Sequence, residues 1–359
     1  METLNKPIIK VTYEGKDITQ DISNYLLGFT YVDKVEGETD ELTITLEDTD
    51  LLWQGEWYPG KGAKLVASFG YGTELVDAGT FEIDEIEISG APDTVTIRAL
   101  AAAITGTLRT NRSQAYEKTT LRKIADTIAA RNKLSINGTV EAIQFERVTQ
   151  NRETDLGFLR RLAFEYGTVF SVRGNQLIFT TIYDLEEAEA VKQVDKTDLI
   201  SFGIRDKTSE TFSAAKVTYH DPVTKKVIES EYKKESKANA DGVAFTEITK
   251  GDTKVIQTKA ENKQQAELKA KAALHNANSR QQEGRIVLVG NPLLVAGNNF
   301  ELTGLGVLSG KYHIVSSTHA ISRSGYTTEL EIKRVGYVEK VKQKPKRKKT
   351  VNTQYKVIG

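Results

Sequence analysis

The chain contains no cysteine. Disulfides, thiolate nucleophiles, zinc ribbons and iron–sulfur clusters are therefore excluded. The absence fits folding in a reducing cytoplasm. Nor is there an excess of charge of either sign: 49 lysines and arginines balance 49 aspartates and glutamates. A dedicated nucleic-acid binder is usually basic, so this balance argues against one. No apolar run approaches the roughly 20 residues that span a bilayer. The opening residues, METLNKPIIKVTYEGK, lack the apolar core and cleavage site of a signal peptide. Secretion by the usual route and direct membrane anchoring are thus not expected.

Catalytic signatures are missing too. There is no GxSxG, no HExxH and no P-loop. The stretch from Gly290 to Gly297 has glycines but lacks the lysine and following helix of a phosphate site, and turn chemistry is reason enough for them. Of the four histidines, His220 precedes Asp221-Pro222 at a strand end, and His275 lies on an alanine-rich helix. His313 and His319 have no carboxylate between them, whereas a zinc site usually needs about three closely spaced ligands. A structural role at a strand corner suits His319. No catalytic, cofactor-binding or metal-binding residue is predicted.

What the chain does contain is alternation. At 359 residues it has room for two or three domains. Residues 1–110 read as strands and glycine-rich turns. Ile8 to Tyr13 alternates, and Leu42, Ile44 and Leu46 alternate against Thr43 and Thr45. Leu65 to Phe69, Gly79 to Ile88 and Thr94 to Leu100 follow, as in a barrel or sandwich. Residues 111–185 form a small α+β insert, with a helix capped at Thr119 or Thr120 and stopped at Asn132. Residues 186–338 return to strands, including Lys216 to Tyr219, Val227 to Tyr232 and Arg285 to Val289. A polar excursion lies near 230–252, with a turn at Asp241-Gly242. A helix near 261–279 has a small face of Ala266, Ala270, Ala273 and Ala277 and is expected to cover a barrel. Residues 339–359 begin with the basic run EKVKQKPKRKKT and read as a solvated, flexible tail, or as one that docks on an acidic partner.

Two distant segments look alike. Tyr58 to Leu100 and Asn291 to Val335 each open on proline and glycine, Pro59 with Gly62 and Pro292 with Gly297. Gly79, Phe81 and Ile83 match Gly310, Tyr312 and Ile314. After turns at Gly90 and Gly325, Val95 and Ile97 match Leu330 and Ile332. Antiparallel β segments share much of this grammar in general, but here turns, register and aromatic position agree together. Three chains with two such modules each would present six modules in a ring.

One charge pattern stands out. Between Leu65 and Ile97 there is no lysine or arginine, while Glu74, Asp77, Glu82, Asp84, Glu85, Glu87 and Asp93 fall inside. This is either an ordinary solvated barrel surface or a lumen-facing acidic wall that repels other anions.

The stretch from Thr154 to Thr181, TDLGFLRRLAFEYGTVFSVRGNQLIFTT, reads as one unit. Thr154 caps a helix, Asp155 sits in its first turn and Gly167 ends it. Leu156, Leu159, Ala163 and Tyr166 fall at helical spacing, widened by Phe158 and Leu162. The period then becomes two, with Val169, Ser171 and Arg173 opposite Phe170 and Val172. Gly174-Asn175 turns into Leu177, Ile178 and Phe179. This unit closely resembles a segment of the phage late control D family. Two further stretches carry the resemblance: Gly290-Asn291-Pro292 through Gly297, with Gly310 to Ile332 including His319, Gly325, Tyr326 and Thr328; and, more weakly, Trp57-Tyr58-Pro59 to Gly70.

The resemblance extends to the T4 hub and the N-terminal part of VgrG-type proteins. It implies a mainly β fold: two tube-like β-barrel domains plus a small helix-and-strand insert. It implies a structural, non-enzymatic hub of a contractile tail or phage-like injection particle, a homotrimer joining a sixfold tail tube protein to a threefold puncturing spike protein. Tape-measure and baseplate wedge proteins are further expected partners, and DNA only passes through the lumen. The expected location is the virion tail tip, or baseplate, after assembly in the host bacterial cytoplasm. A headless bacteriocin (a tailocin) is equally compatible. The rival readings are a tail-associated cell-wall hydrolase, which needs an acidic pair in a cleft, and a glycan- or receptor-binding β protein, which needs an aromatic platform. Trp53 and Trp57 are the only tryptophans and suit barrel packing better.

Overall fold

The computed structural model describes residues 6–35, 39–101, 110–140, 142–173, 176–207, 211–220, 225–233 and 252–335. The turns expected at Gly174-Asn175 and Asp241-Gly242, most of the polar excursion and the basic tail lie outside them. The protein is mainly β with an α+β insert. In its first part β1 (Pro7–Tyr13), β2 (Lys16–Asp17), α1 (Thr19–Ser23), β3 (Leu26–Lys34), β4 (Glu41–Glu47), β5 (Lys64–Tyr71), β6 (Glu74–Ser89) and β7 (Thr94–Ala101) follow one another. The alternation in β4 has its physical cause in burial: Leu42, Ile44 and Leu46 enter the core while Thr43 and Thr45 stay half-exposed.

The insert follows: β8 (Arg112–Thr120), α2 (Leu121–Arg131), β9 (Ser135–Gly138), β10 (Gln144–Glu153), α3 (Asp155–Tyr166), β11 (Thr168–Arg173), β12 (Gln176–Thr181) and α4 (Ile182–Glu187). Both helices begin where the sequence marks them. Thr120 Oγ1 accepts from the Lys123 N–H at 3.2 Å, and Thr154 Oγ1 from the Gly157 N–H at 3.0 Å. Gly167 closes α3 at φ 66°, in the left-handed region. Asp155 is more than a first-turn residue. It is wholly buried and receives Arg131 at 3.0 Å, Asn132 at 3.2 Å and Gln150 at 3.0 Å.

The last part comprises β13 (Ala190–Asp195), β14 (Leu199–Asp206), β15 (Phe212–His220), β16 (Val227–Lys233), β17 (Asp252–Gln257), α5 (Lys263–Asn278), β18 (Gln282–Val289), β19 (Asn299–Thr303), β20 (Gly310–Ser322) and β21 (Gly325–Arg334). Here the expected helix-on-barrel arrangement is corrected. Strands β16, β15 and β17 form a three-stranded sheet of their own. Helix α5 buries Ala266, Ala270 and Leu274 against that sheet, not against the large one. Its other side meets α3, where Lys269 Nζ reaches Glu165 at 2.7 Å. An alanine face permits close approach to a sheet but does not say which sheet.

The large sheet has 13 strands and runs β14-β18-β21-β20-β3-β4-β7-β6-β5-β1-β2, with β13 pairing β19 and β19 pairing β20. It contains one strand order twice. Six strands of the first part run β3-β4-β7-β6-β5-β1; six of the last part run β14-β18-β21-β20-β19-β13. Two of the bulges repeat as well. One interrupts β6/β7 between Ile83 and Glu85, and its counterpart interrupts β20/β21 between Ile314 and Ser316. A second falls between Leu26 and Gly28 in β3/β4, with its counterpart between Leu199 and Ser201 in β14/β18. One pairing differs: β1 is antiparallel to β5, whereas β13 is parallel to β19.

Candidate functional site

Eight strands, β14-β18-β21-β20-β3-β4-β7-β6, make one continuous antiparallel surface. Alternation sends one side chain in two into the cores. The others build an open polar face. On it stand Thr43 and Thr45 of β4, Thr94 and Thr96 of β7, Ser316 and Thr318 of β20, and Glu329 and Glu331 of β21. Charges of both signs interleave there. Arg98 reaches Glu85 at 2.9 Å and Glu87 at 3.5 Å, Arg285 pairs with Glu329, and Glu283 takes Arg205 at 3.1 Å and Lys207 at 2.9 Å. Two acids of the stretch, Glu85 and Glu87, are thus answered by Arg98 from the next strand, just beyond the cation-free sequence. The face is mixed in sign.

The two modules meet where β20 pairs with β3, in the register Ser316 to Lys34 through Ser322 to Gly28. His319 lies inside that seam, wholly buried, rather than at a strand corner. Its ring stacks on Tyr31, lies 4.8 Å from the Phe69 ring and joins Nδ1 to the Tyr326 hydroxyl at 2.8 Å. Burial pushes the imidazole down to about 4. The same burial pushes the Tyr326 phenol upward. Gly290 belongs to this cluster. A Cβ there would fall 2.0 Å from the Tyr326 ring, so ring packing, not turn chemistry, requires this glycine. Gly297, at φ 90°, fits the turn explanation.

The remaining predicted features separate. His313 Nδ1 meets Asn299 Oδ1 at 2.8 Å, and His275 faces Glu186 at 3.2 Å. Among the described residues no group of three or more His, Asp or Glu could hold a metal ion. No described helix is long and apolar enough to cross a membrane. Trp53 is buried, edge-on to Trp57 at 5.4 Å, so the two do not form an exposed platform.

The pairing also corrects the repeat. Ile83 lies opposite Ala99 and Ile314 opposite Ile332, so Ile97 corresponds to Leu330 and Ala99 to Ile332. The sequence alignment was two residues out. A further pair of matching segments was not read from the sequence at all. Leu26–Lys34 (LLGFTYVDK) and Leu199–Lys207 (LISFGIRDK) occupy equivalent places, with Leu26, Phe29, Asp33 and Lys34 repeated as Leu199, Phe202, Asp206 and Lys207. The signal was there, but β14 is separated from β18 by the β15–α5 excursion, which hides the correspondence.

Comparison with known proteins places the chain in a family. Residues 67–325 match the family model described as phage tail baseplate hub (GPD). The chain belongs to that family. It is 38% identical over 176 residues to a protein of Escherichia phage 186 named "Probable baseplate hub protein". That match covers 48% of this chain and 44% of the phage protein, so the chain spans about half the length of the curated relatives it matches. In fold it is similar to a tail protein from Neisseria meningitidis MC58, with a TM-score of 0.68 at 14% identity, over 93% of this chain and 98% of the other. It is also similar to an Escherichia coli component of the type VI secretion system, itself described as structurally similar to the T4 tail proteins gp27 and gp5, with a TM-score of 0.54 at 13% identity, over 94% of this chain and 79% of that one.

Proposed function

We propose that the protein is the structural, non-enzymatic hub of a contractile tail or related injection particle. Three copies close into a ring that joins a sixfold tail tube to a threefold puncturing spike. One observation carries the reading: the same six-strand order, with two matching bulges, occurs twice in one polypeptide. A ring of three such chains is threefold by composition and nearly sixfold in shape. The domain scheme that goes with it has tube-like modules over 1–110 and 186–338, separated by the insert over 111–185.

The open polar face then lines the passage. Its interleaved charges give passing DNA little to bind, and the repulsion expected of a uniformly acidic wall is not required. Tube, spike, tape-measure and wedge proteins are the partners of such a hub, and the tail tip is its location. Membership of the baseplate hub family supports the assignment. Native mass spectrometry of the purified chain tests it. A trimer supports the ring, and a stable species of any other copy number contradicts it.

A further inference from the structure

The seam inside one chain is a template for a seam between chains. Strand β20 does two jobs. Its first residues pair with β19, and residues Ser316 to Ser322 pair with β3 of the other module. Its equivalent, β6, does only the first. Strand β5 pairs with residues Glu74 to Glu82, and among the described residues no strand pairs with the outer edge of Glu85 to Ser89. The equivalent of β3 is β14. It ends the eight-strand run, pairs only with β18, and leaves its own outer edge without a strand among the described residues. One chain thus presents a β6 edge at one end of the run and a β14 edge at the other.

The side chains behave as the halves of an unmade joint. Phe29 of β3 is 0% exposed, but its equivalent Phe202 of β14 is 44% exposed. His319 of β20 is 0% exposed, but its equivalent Ile88 of β6 is 42% exposed. Ile88 lies opposite buried Val95, so it points to the core side, and no strand among the described residues covers it there. Unpaired edges with apolar residues on the core side are the usual means of strand addition between chains.

We infer that β14 of one copy pairs antiparallel with the second half of β6 in the next copy, with Glu85 opposite Lys207, Glu87 opposite Arg205 and Ile88 opposite Ile204. The register is not adjustable. It follows from carrying Ser316–Lys34, Thr318–Val32 and His319–Tyr31 across the two matching bulges. Charge supplies an independent check. Within a chain Glu85 and Glu87 share one cation, Arg98, and Arg205 and Lys207 share one anion, Glu283. On the polar face the β6 edge therefore keeps a net negative charge and the β14 edge a net positive one, while Asp206 lies on the opposite face and accepts from Gln282. The register places those charges face to face, where opposite charges stabilise cross-strand pairs and disfavour a slip. The inner seam has neutral Ser316 and Thr318 at the same positions and needs no such selection, because the chain itself fixes its partners.

This rests on the hub reading for the number of copies, but not for the pairing. The absence of native cysteine makes disulfide trapping clean. Opposed residues of an antiparallel pair lie within disulfide reach. Full-length E87C/R205C and I88C/I204C are oxidised at high concentration and run on denaturing, non-reducing gels. The expected product is a covalently closed trimer from at least one double variant and no species above a dimer from any single one. A native trimer with no covalent trimer from either double variant overturns the pairing and leaves the ring standing. Efficient closure at another copy number overturns the threefold ring and leaves the pairing standing. A chain that neither associates nor cross-links overturns both. All four positions lie at partly or fully exposed sites, and circular dichroism checks that the variants fold. A second measurement uses charge: E87R should weaken association about ten-fold or more, and E87R/R205E in one chain should restore it. Equal weakening in both variants counts against the register.

Discussion

His319 is a neutral ring held between two modules, and its titration should be visible. An unfolded histidine takes a proton near pH 6.5; the folded one resists until about 4. Between those values only the unfolded state gains the proton. Stability is therefore whole above pH 6.5, falls as pH drops, and levels off below about 4, a loss on the order of 3 kcal/mol. Urea unfolding of wild type and His319→Gln at pH 7 and pH 4.5 should show the smaller loss in the variant. Gly290→Ala forces a methyl into the Tyr326 ring and should cost about 1–3 kcal/mol in the same assay. Asp155→Ala leaves Arg131 and Gln150 facing a vacant buried site. Its expected cost, about 3–5 kcal/mol, is larger because a half-buried charge loses its partner. The caps at Thr154 and Gly167 were legible in the sequence because they are local chemistry. The partners of Asp155 were not, because they come from β10 and from the end of α2.

At the level of elements, the sequence supports the strands and helices far better than their partners. Alternation located β4, β5, β7 and β21 because each buries one face. It could not fix the repeat's register, since a slip of two residues leaves an alternating pattern unchanged. Only the bulges after Ile83 and Ile314 settle it. It also could not assign α5 to its own sheet, because an alanine stripe fits any flat surface. The free edges carry an element-scale expectation. The outward-pointing backbone amides of Glu85 to Ser89 and of β14 should exchange quickly in the dissociated chain and slowly in the assembled ring, as hydrogen-exchange mass spectrometry would record. Equal rates in the two states would mean that these edges stay bare.

The whole molecule is one polypeptide that repeats itself and joins its repeats through β20 and β3. Unrelated architectures in the two halves would have removed the basis for a ring; instead the strand orders agree. The departures, β1 antiparallel and β13 parallel to their neighbours, fall away from the eight-strand surface that would line the passage. The most direct measurement is an electron cryo-microscopy map of the assembled hub. Three chains whose two modules alternate around one continuous sheet, with β6 density running into β14 of the next chain, are the predicted result. A ring in which the two modules of a chain lie at different levels or radii, with no strand pairing across copies, would contradict it.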